Sequence, residues 1–308
     1  MKVAVLLATY NGEKYLPALL DSLFSQTFGD FCCYIHDDGS TDQTREIIES
    51  YRNREPDRVY IIEGEAMGGA KNNFLFLLQK VEADYYFFCD QDDVWFPEKI
   101  ETELNALLEM KNEPNGALVF SDLNVTDSSL NITDDSFMKL NRSEPENLDF
   151  YKAVIAGKAP GCVMAFDRRV RDQSIGYRNA DNIYMHDWWM LIVAYGIDAG
   201  VKYLDIPLMY YRQHEDNTLG AKKSTVKSGT KNLISQILHG KLYEKREWIE
   251  RPRRQANELI YIENVDERYL DFLKQLANVS KKNKLQRVAF YRRYFKETPG
   301  LWYRMVWV

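Results

Sequence analysis

Three aspartates within four residues, Asp90, Asp92 and Asp93, directly follow the apolar run Tyr85-Tyr86-Phe87-Phe88-Cys89. Carboxylates this close repel one another unless a cation relieves them. Carboxylate oxygens are the ligands that hard divalent ions prefer, and Mg2+ or Mn2+ held by few of them fills its other positions with substrate phosphates. The cluster therefore suggests a cation and a phosphorylated substrate; the competing reading is a solvated loop whose aspartates cap a helix. Asp37 and Asp38 follow a second apolar run, and Thr9-Tyr10-Asn11 follows a third. Further on, His186-Asp187-Trp188-Trp189 offers a carboxylate able to accept a proton at neutral pH. Asp187 could equally cap the helix that starts there. Tyr211-Arg212-Gln213-His214 adds an imidazole and a guanidinium, whose planar fork matches phosphate oxygens.

Strands and helices must alternate to position these groups. Residues 3–8 are a continuous apolar run, as in a parallel strand covered on both faces. Asn11-Gly12 turns the chain, and Leu16, Leu19, Leu20 and Leu23 recur at helical spacing. Strands follow at Phe31–Ile35, Val59–Ile62, Tyr85–Cys89 and Leu118–Phe120. Between them lie a helix capped by Ser40 or Thr41, a helix over Asn72–Lys80 and one opened by Pro97. This order predicts right-handed crossovers and a mainly parallel α/β sheet, with ligands at the carboxyl ends of the strands. The polar clusters after three strands would then share one rim. Residues 121–149 are polar and turn-rich. Later come a strand over Gly161–Phe166, a helix from Met185, a short strand over Tyr203–Ile206, and helices from Lys222 onward.

Other chemistries fit less well. A strand followed by Asp-x-Asp also resembles the haloacid-dehalogenase-type phosphatases, with Asp90 as nucleophile, but there the motif follows the first strand. Asp122 and Asp127 are poorly spaced for the later acidic pair. A sugar nucleotidyltransferase should open with a basic Gly-rich loop, which Ala8–Gly12 is not, and no G-x-G-x-x-G follows the first strand.

The 308 residues carry 40 Lys+Arg and 46 Asp+Glu, a net charge of −6 that averages two unlike parts. Residues 1–221 sum to −17 and residues 222–308 to +11. No run of about 18 apolar residues suggests a transmembrane helix, and Met1–Ala8 leads into a turn rather than a cleavage site. Cys32, Cys33, Cys89 and Cys162 form no C-x-x-C pair, so reduced, buried thiols in a cytoplasmic protein are expected rather than a thiolate metal site. Basic residues interleave with aromatics in Phe290–Lys296 and Leu301–Val308. That pattern suits an anionic membrane surface better than single-stranded nucleic acid; the alternative is a core or homodimer contact.

Taken together, Ala8–Gly12, Gln26-Thr27-Phe28, Asp37–Asp42, Asp90-Gln91-Asp92-Asp93-Val94-Trp95, His186–Trp189 and Tyr211–His214 resemble the family 2 glycosyltransferases, the inverting GT-A group. The versions here look most like the bacterial rhamnosyltransferases of streptococcal-type cell-wall polysaccharides. The resemblance implies a GT-A catalytic domain over 1–221, with a nucleotide half to about 120 and an acceptor half beyond it. A basic, aromatic helical region over 222–308 would follow, for membrane association or oligomerisation. It implies Thr9, Tyr10 and Asn11 near the nucleotide, Asp38 on the base, Asn73 on base or ribose, and Asp90 on the ribose. Asp92, with Asp90 and His214, would hold Mn2+ or Mg2+, and Asp93 would either ligate or cap a helix. Arg212 and His214 would close over the diphosphate, and Asp187 would be the general base. The implied donor is dTDP-rhamnose, with UDP-sugars behind it. The implied acceptor is a lipid-linked glycan at the cytoplasmic face of the membrane. A catalytically inactive scaffold on the same fold is the non-enzyme alternative.

Overall fold

The computed structural model describes residues 1–141, 143–157, 159–214 and 241–295, with the backbone alone for 241–248. The first apolar run forms β1 (Val3–Thr9), buried along its whole length. It pairs in parallel with β2 (Cys32–Asp37) and β4 (Tyr85–Asp90), while β3 (Val59–Ile61) flanks β2. The crossovers are α1 (Leu16–Phe24), α2 (Thr44–Arg54) and α3 (Ala70–Lys80). α1 buries the four leucines its spacing singled out. Register fixes the rim: Thr9 lies beside Asp37, and Ala8 beside both His36 and Asp90.

The second half is mixed rather than parallel. After β5 (Val94–Trp95) come α4 (Lys99–Glu109), β6 (Ala117–Thr126), β7 (Ile132–Asp134), α5 (Phe137–Leu140) and α6 (Phe150–Ala156). β8 (Met164–Asp167), α7 (Arg168–Ser174), α8 (His186–Gly196) and β9 (Gly200–Arg212) complete it. The sheet order is β3-β2-β1-β4-β8-β6-β9-β5, with β7 on β6. β8 runs antiparallel to β4 and β6, β5 antiparallel to β9, and β6 parallel to β9.

Several boundaries differ from the sequence expectation. β6 extends ten residues because Ser121, Asp122, Asn124 and Thr126 are buried in it with bonded side chains. β9 runs thirteen residues through Pro207, where its register against β6 shifts. Gly161–Val163 is a 3-10 turn ahead of β8. α2 starts after Gln43 with no side-chain cap; the Ser40 hydroxyl is turned back to Asp37 instead.

Three further helices, α9 (Lys241–Leu259), α10 (Glu267–Ala277) and α11 (Lys284–Tyr294), share the core of the first 214 residues. Leu259 packs against Gly196, the Asp266 N–H donates to the Gly196 carbonyl (2.8 Å), and Tyr269 stacks on Phe150 at 3.8 Å. None of the described helices is long and apolar enough to cross a membrane. The Leu301–Val308 segment lies outside the described residues, as do 215–240.

Candidate active site

A cleft of about 890 Å3 opens at the carboxyl ends of β1, β2 and β4 and reaches the start of α8. It brings together Thr9, Tyr10, Asn11, Asp38, Asn73, Asp90, Asp92, Asp187 and His214; of the residues given a site role from sequence, Arg212 and Asp93 do not line it. On the rim, Asn11 takes a left-handed conformation (φ 46°), its N–H donating to Ser40 Oγ and its Oδ1 accepting from the Thr41 N–H. Thr9 donates to Asp37 Oδ1 (3.1 Å). Burial alone would raise the Asp37 carboxyl, but hydrogen bonds from Ser40, Arg45 and Thr9 outweigh it and hold the group below the usual range. Gln91, inside the acidic motif but given no role above, clamps the two rims: it accepts from the Tyr10 N–H and donates to the Tyr10 carbonyl, both at 2.9 Å.

Asp38 anchors a loop as well as lining the cleft. Its Oδ1 accepts the N–H groups of Met67 and Gly68 and its Oδ2 that of Gly69 (2.6 Å). The positive φ of Gly68 (79°) and Gly69 (118°) aims these successive donors at one carboxylate, a conformation that costs glycine little. Asn73 also lines the cleft, yet both ends of its amide are engaged by His36.

The acidic cluster divides by side. Asp90 and Asp92 face the cleft. Asp92 Oδ2 lies 2.8 Å from His214 Nε2, so β4 and the segment after β9 meet at one carboxylate–imidazole pair. Asp93 points inward, fully buried, and its Oδ1 accepts the Arg212 N–H (3.2 Å). It does not cap α4, which begins after Glu98. Burial, with the charges of Asp92 and Asp187, pushes the Asp90 carboxyl up to about 8; burial and the same cluster raise Asp93. One oxygen each of Asp90 and Asp93 lies within 4.8 Å of the other and of the Cys162 sulfur. Burial raises the Cys162 thiol well above its ordinary value, so it remains a thiol. Asp93 Oδ2 is buried without a hydrogen-bond partner. Crowded hard oxygens, an imidazole and an unsatisfied buried carboxylate oxygen fit a divalent cation of the Mg2+ or Mn2+ type.

Arg212 sits behind this loop rather than over the cleft. Its Nε donates to the Asp92 carbonyl (2.9 Å), one terminal nitrogen donates to the Ser128 carbonyl (3.0 Å), and the residue is only 6% exposed. Lys14, a cation that does face the cleft, shares an aromatic ring with His214 and Arg212. The Tyr15 and His214 rings meet at a tilt of 32° with centroids 4.6 Å apart, Lys14 Nζ lies 4.8 Å from the Tyr15 centroid, and the Arg212 guanidinium packs on the Tyr15 ring from behind at 4.6 Å. Neither Lys14 nor Tyr15 stood out in the sequence; their position in the loop just after β1 was the available signal.

Asp187 lies in the first turn of α8 but is not its cap, which is Met185. Its Oδ1 accepts from the Trp188 N–H (2.6 Å) and its Oδ2 from the Gly161 N–H (3.2 Å). Burial lifts the carboxyl to about 6 against the lowering effect of these bonds. It is therefore mostly ionised at neutral pH, yet basic enough to take a proton as it leaves a hydroxyl. His186 is buried between Phe74 and Phe88, where desolvation keeps it neutral, down to about 3. Gly161 leaves room for that imidazole: a Cβ there would stand 2.7 Å from His186 Nε2. Trp189 is core, its indole donating to the Ser174 carbonyl, while Trp188 is half-buried behind Gly157 and donates to the Ala153 carbonyl. Phe137 forms the far wall. Asp122, buried in β6, holds that wall by accepting from the Ser136 hydroxyl and the Met138 N–H.

Residues 4–170 match the Glycosyl transferase family 2 profile. The dTDP-rhamnosyl transferase RfbG of Shigella flexneri is 30% identical over 228 residues, covering 71% of this chain and 75% of that protein. The poly(ribitol-phosphate) beta-N-acetylglucosaminyltransferase TarS of Staphylococcus aureus is 41% identical over 95 residues, 30% of this chain and 16% of that protein. The crystal structure of S. aureus TarS 1-349 in complex with UDP-GlcNAc superposes with a TM-score of 0.59 at 18% identity, covering 98% of this chain and 84% of that one. The fold is thus the GT-A fold, and the cleft lies where its polar strand ends converge. This chain belongs to glycosyltransferase family 2 and is a glycosyltransferase.

Proposed function

We propose that the enzyme transfers rhamnose from dTDP-rhamnose, with inversion, to a hydroxyl of a lipid-linked glycan during assembly of a bacterial surface polysaccharide. The observation that carries the reading is one cleft holding a carboxylate base, Asp187, opposite a cation-demanding rim of Asp90, Asp92 and His214. In a single displacement, the acceptor oxygen attacks the anomeric carbon from the face away from the diphosphate, and Asp187 takes its proton. Asp92, Asp90 and His214 would hold Mn2+ or Mg2+, which when bound neutralises charge on the leaving diphosphate. Thr9, Tyr10, Asn11, Asp38 and Asn73 form the nucleotide side. Asp38 retains acceptor capacity for the base imide N–H, and Asp90 faces the ribose. Lys14 is the cleft-facing cation for the diphosphate, His214 closes over it from the end of β9, and Arg212 orders the acidic loop from behind.

The likeness to RfbG, a dTDP-rhamnosyl transferase, over most of both chains supports rhamnose. A UDP-N-acetylhexosamine donor is the second reading, favoured by the shorter match to TarS. Residues 1–221 would be the catalytic domain. The basic run from Lys281 through Arg287, with Leu285 81% exposed beside it, would hold the protein to an anionic membrane at the cytoplasmic face.

A donor screen tests the proposal: nucleoside diphosphate release from dTDP-rhamnose, UDP-glucose, UDP-galactose and UDP-N-acetylglucosamine, with and without Mn2+ or Mg2+. Fastest release from dTDP-rhamnose is expected, and turnover confined to a UDP-sugar would remove rhamnose as the donor. Tyr15→Leu should raise the donor KM about tenfold, because a ring contacting two cations is worth roughly 1–2 kcal/mol. Tyr15→Phe keeps the ring and should stay near wild type in the same assay.

A further inference from the structure

The segment that leads into α8 is held mainly from outside. Residues 178–185 contain one short 3-10 turn, Ala180–Asn182, and then deliver Met185, His186 and Asp187 to the cleft wall. Four hydrogen bonds and one cation–ring contact from the far end of the chain grip it. Glu258 Oε2 accepts the N–H groups of Arg178 (2.9 Å) and Asn179 (3.1 Å), and Glu258 Oε1 accepts from Asn182 Nδ2 (2.6 Å). One turn back on α9, Gln255 Oε1 accepts the Tyr184 N–H (3.3 Å). Another turn back, the Arg251 guanidinium lies 3.9 Å over the Tyr184 ring, which meets Trp188 edge-on at 5.9 Å. From the other side, Lys71 Nζ of α3 donates to the Ala180 carbonyl (2.9 Å).

Glu258 is 2% exposed and Gln255 fully buried. A buried carboxylate is costly unless its oxygens are satisfied. Here all three donors come from the segment before the base, and among the described residues no ion pair reaches Glu258. Placing such a group on an apolar helix face makes little sense for docking alone, since Leu259 and Ala256 beside it already supply apolar contact.

We propose that Glu258, assisted by Gln255, is a positioning residue for Asp187: α9 sets the backbone path of 178–185 and thereby the angle at which the carboxylate meets the acceptor. This rests on the reading of Asp187 as the base. The C-terminal helices then help to place the base, because α9 holds the segment that delivers it.

The test uses the full chain, with Glu258→Ala, Glu258→Gln, Asn182→Asp and Asp187→Asn compared. Three quantities are measured: the Kd for dTDP with Mn2+ by calorimetry, dTDP release from dTDP-rhamnose with water as the acceptor, and Tm. A misplaced base costs roughly 10- to 100-fold in rate. Glu258→Ala is expected to slow hydrolysis by that factor while the dTDP Kd changes less than twofold. Glu258→Gln, which keeps one acceptor oxygen for the paired N–H groups, should recover most of the rate. Asn182→Asp sets a like charge against Glu258 and should reproduce the loss without emptying the buried site, so the clamp is still read if Glu258→Ala does not fold. Unchanged hydrolysis in Asn182→Asp and Glu258→Ala, or equal loss of dTDP affinity and rate with a lowered Tm in all three, would overturn the clamp. Retained hydrolysis in Asp187→Asn would instead remove the base assignment, whatever the Glu258 variants do.

Discussion

Asp187→Asn is expected to lower sugar transfer about 10²- to 10⁴-fold, roughly 3–5 kcal/mol of transition-state stabilisation, which is the range for loss of a general base. The substitution keeps the size of the side chain and the Oδ1 acceptor for the Trp188 N–H, so the start of α8 should hold its shape. Donor affinity, measured as dTDP binding with Mn2+, should stay within about twofold, because the nucleotide side of the cleft is built from other elements. The wild-type enzyme should also show the base in its pH profile. Burial raises the folded carboxyl to about 6, so it is protonated and inactive below that pH and ionised above it. The kcat/KM for transfer should therefore fall about tenfold per unit on the acid side and level off above pH 7. An Asp187→Asn variant with substantial transfer, or a wild-type profile flat down to pH 5, would contradict the assignment.

Asp92→Asn is expected to reduce turnover about 100-fold or more and to weaken diphosphate binding, and a chelator should do the same to the wild type reversibly. Asp92 faces the cleft and pairs with His214, and its neighbour Asp90 is pushed up to about 8 by burial and by the charges of Asp92 and Asp187. Without a cation, Asp90 is then largely protonated at neutral pH. Cation binding must displace that proton. Calorimetry of Mn2+ binding at pH 7 in buffers of different ionisation enthalpy should register proton release, and Asp92→Asn should lose both the heat and the release. Full activity after exhaustive chelation would remove the metal from the proposal.

The first half of the sheet was legible because its chemistry and folding signals coincide. Continuous apolar runs make parallel strands, and the polar groups directly after Ala8, Ile35 and Cys89 must fall on one rim once those strands align. The second half was less legible because its strands carry buried polar residues. Ser121, Asp122 and Asn124 read as loop until Glu103, Ser136 and the Asp135 carbonyl supply their partners. Pro207 likewise reads as a break, yet β9 continues through it where its register against β6 shifts.

Arg212 and the C-terminal helices mark the same limit. An Arg two residues from His214 looks like a second diphosphate cation, but β9 ends at Arg212, whose side chain lies behind the acidic loop on the Asp92 and Ser128 carbonyls, while His214 follows beyond the strand. The basic excess after residue 221 suggested a membrane surface, with a core or homodimer contact as the alternative; α9 to α11 do share the core of the first 214 residues. The sequence by itself determined the family, the order of the strands that build the nucleotide side, and most of the residues that meet in the cleft. Those follow from local periodicity and from motifs whose members are near in the chain. Only the tertiary structure decided which carboxylates face the cleft, that Tyr15 carries the cations, and that Glu258 grips the segment before Asp187. Each of these depends on contacts between residues roughly 75 to 200 positions apart, which no local pattern encodes.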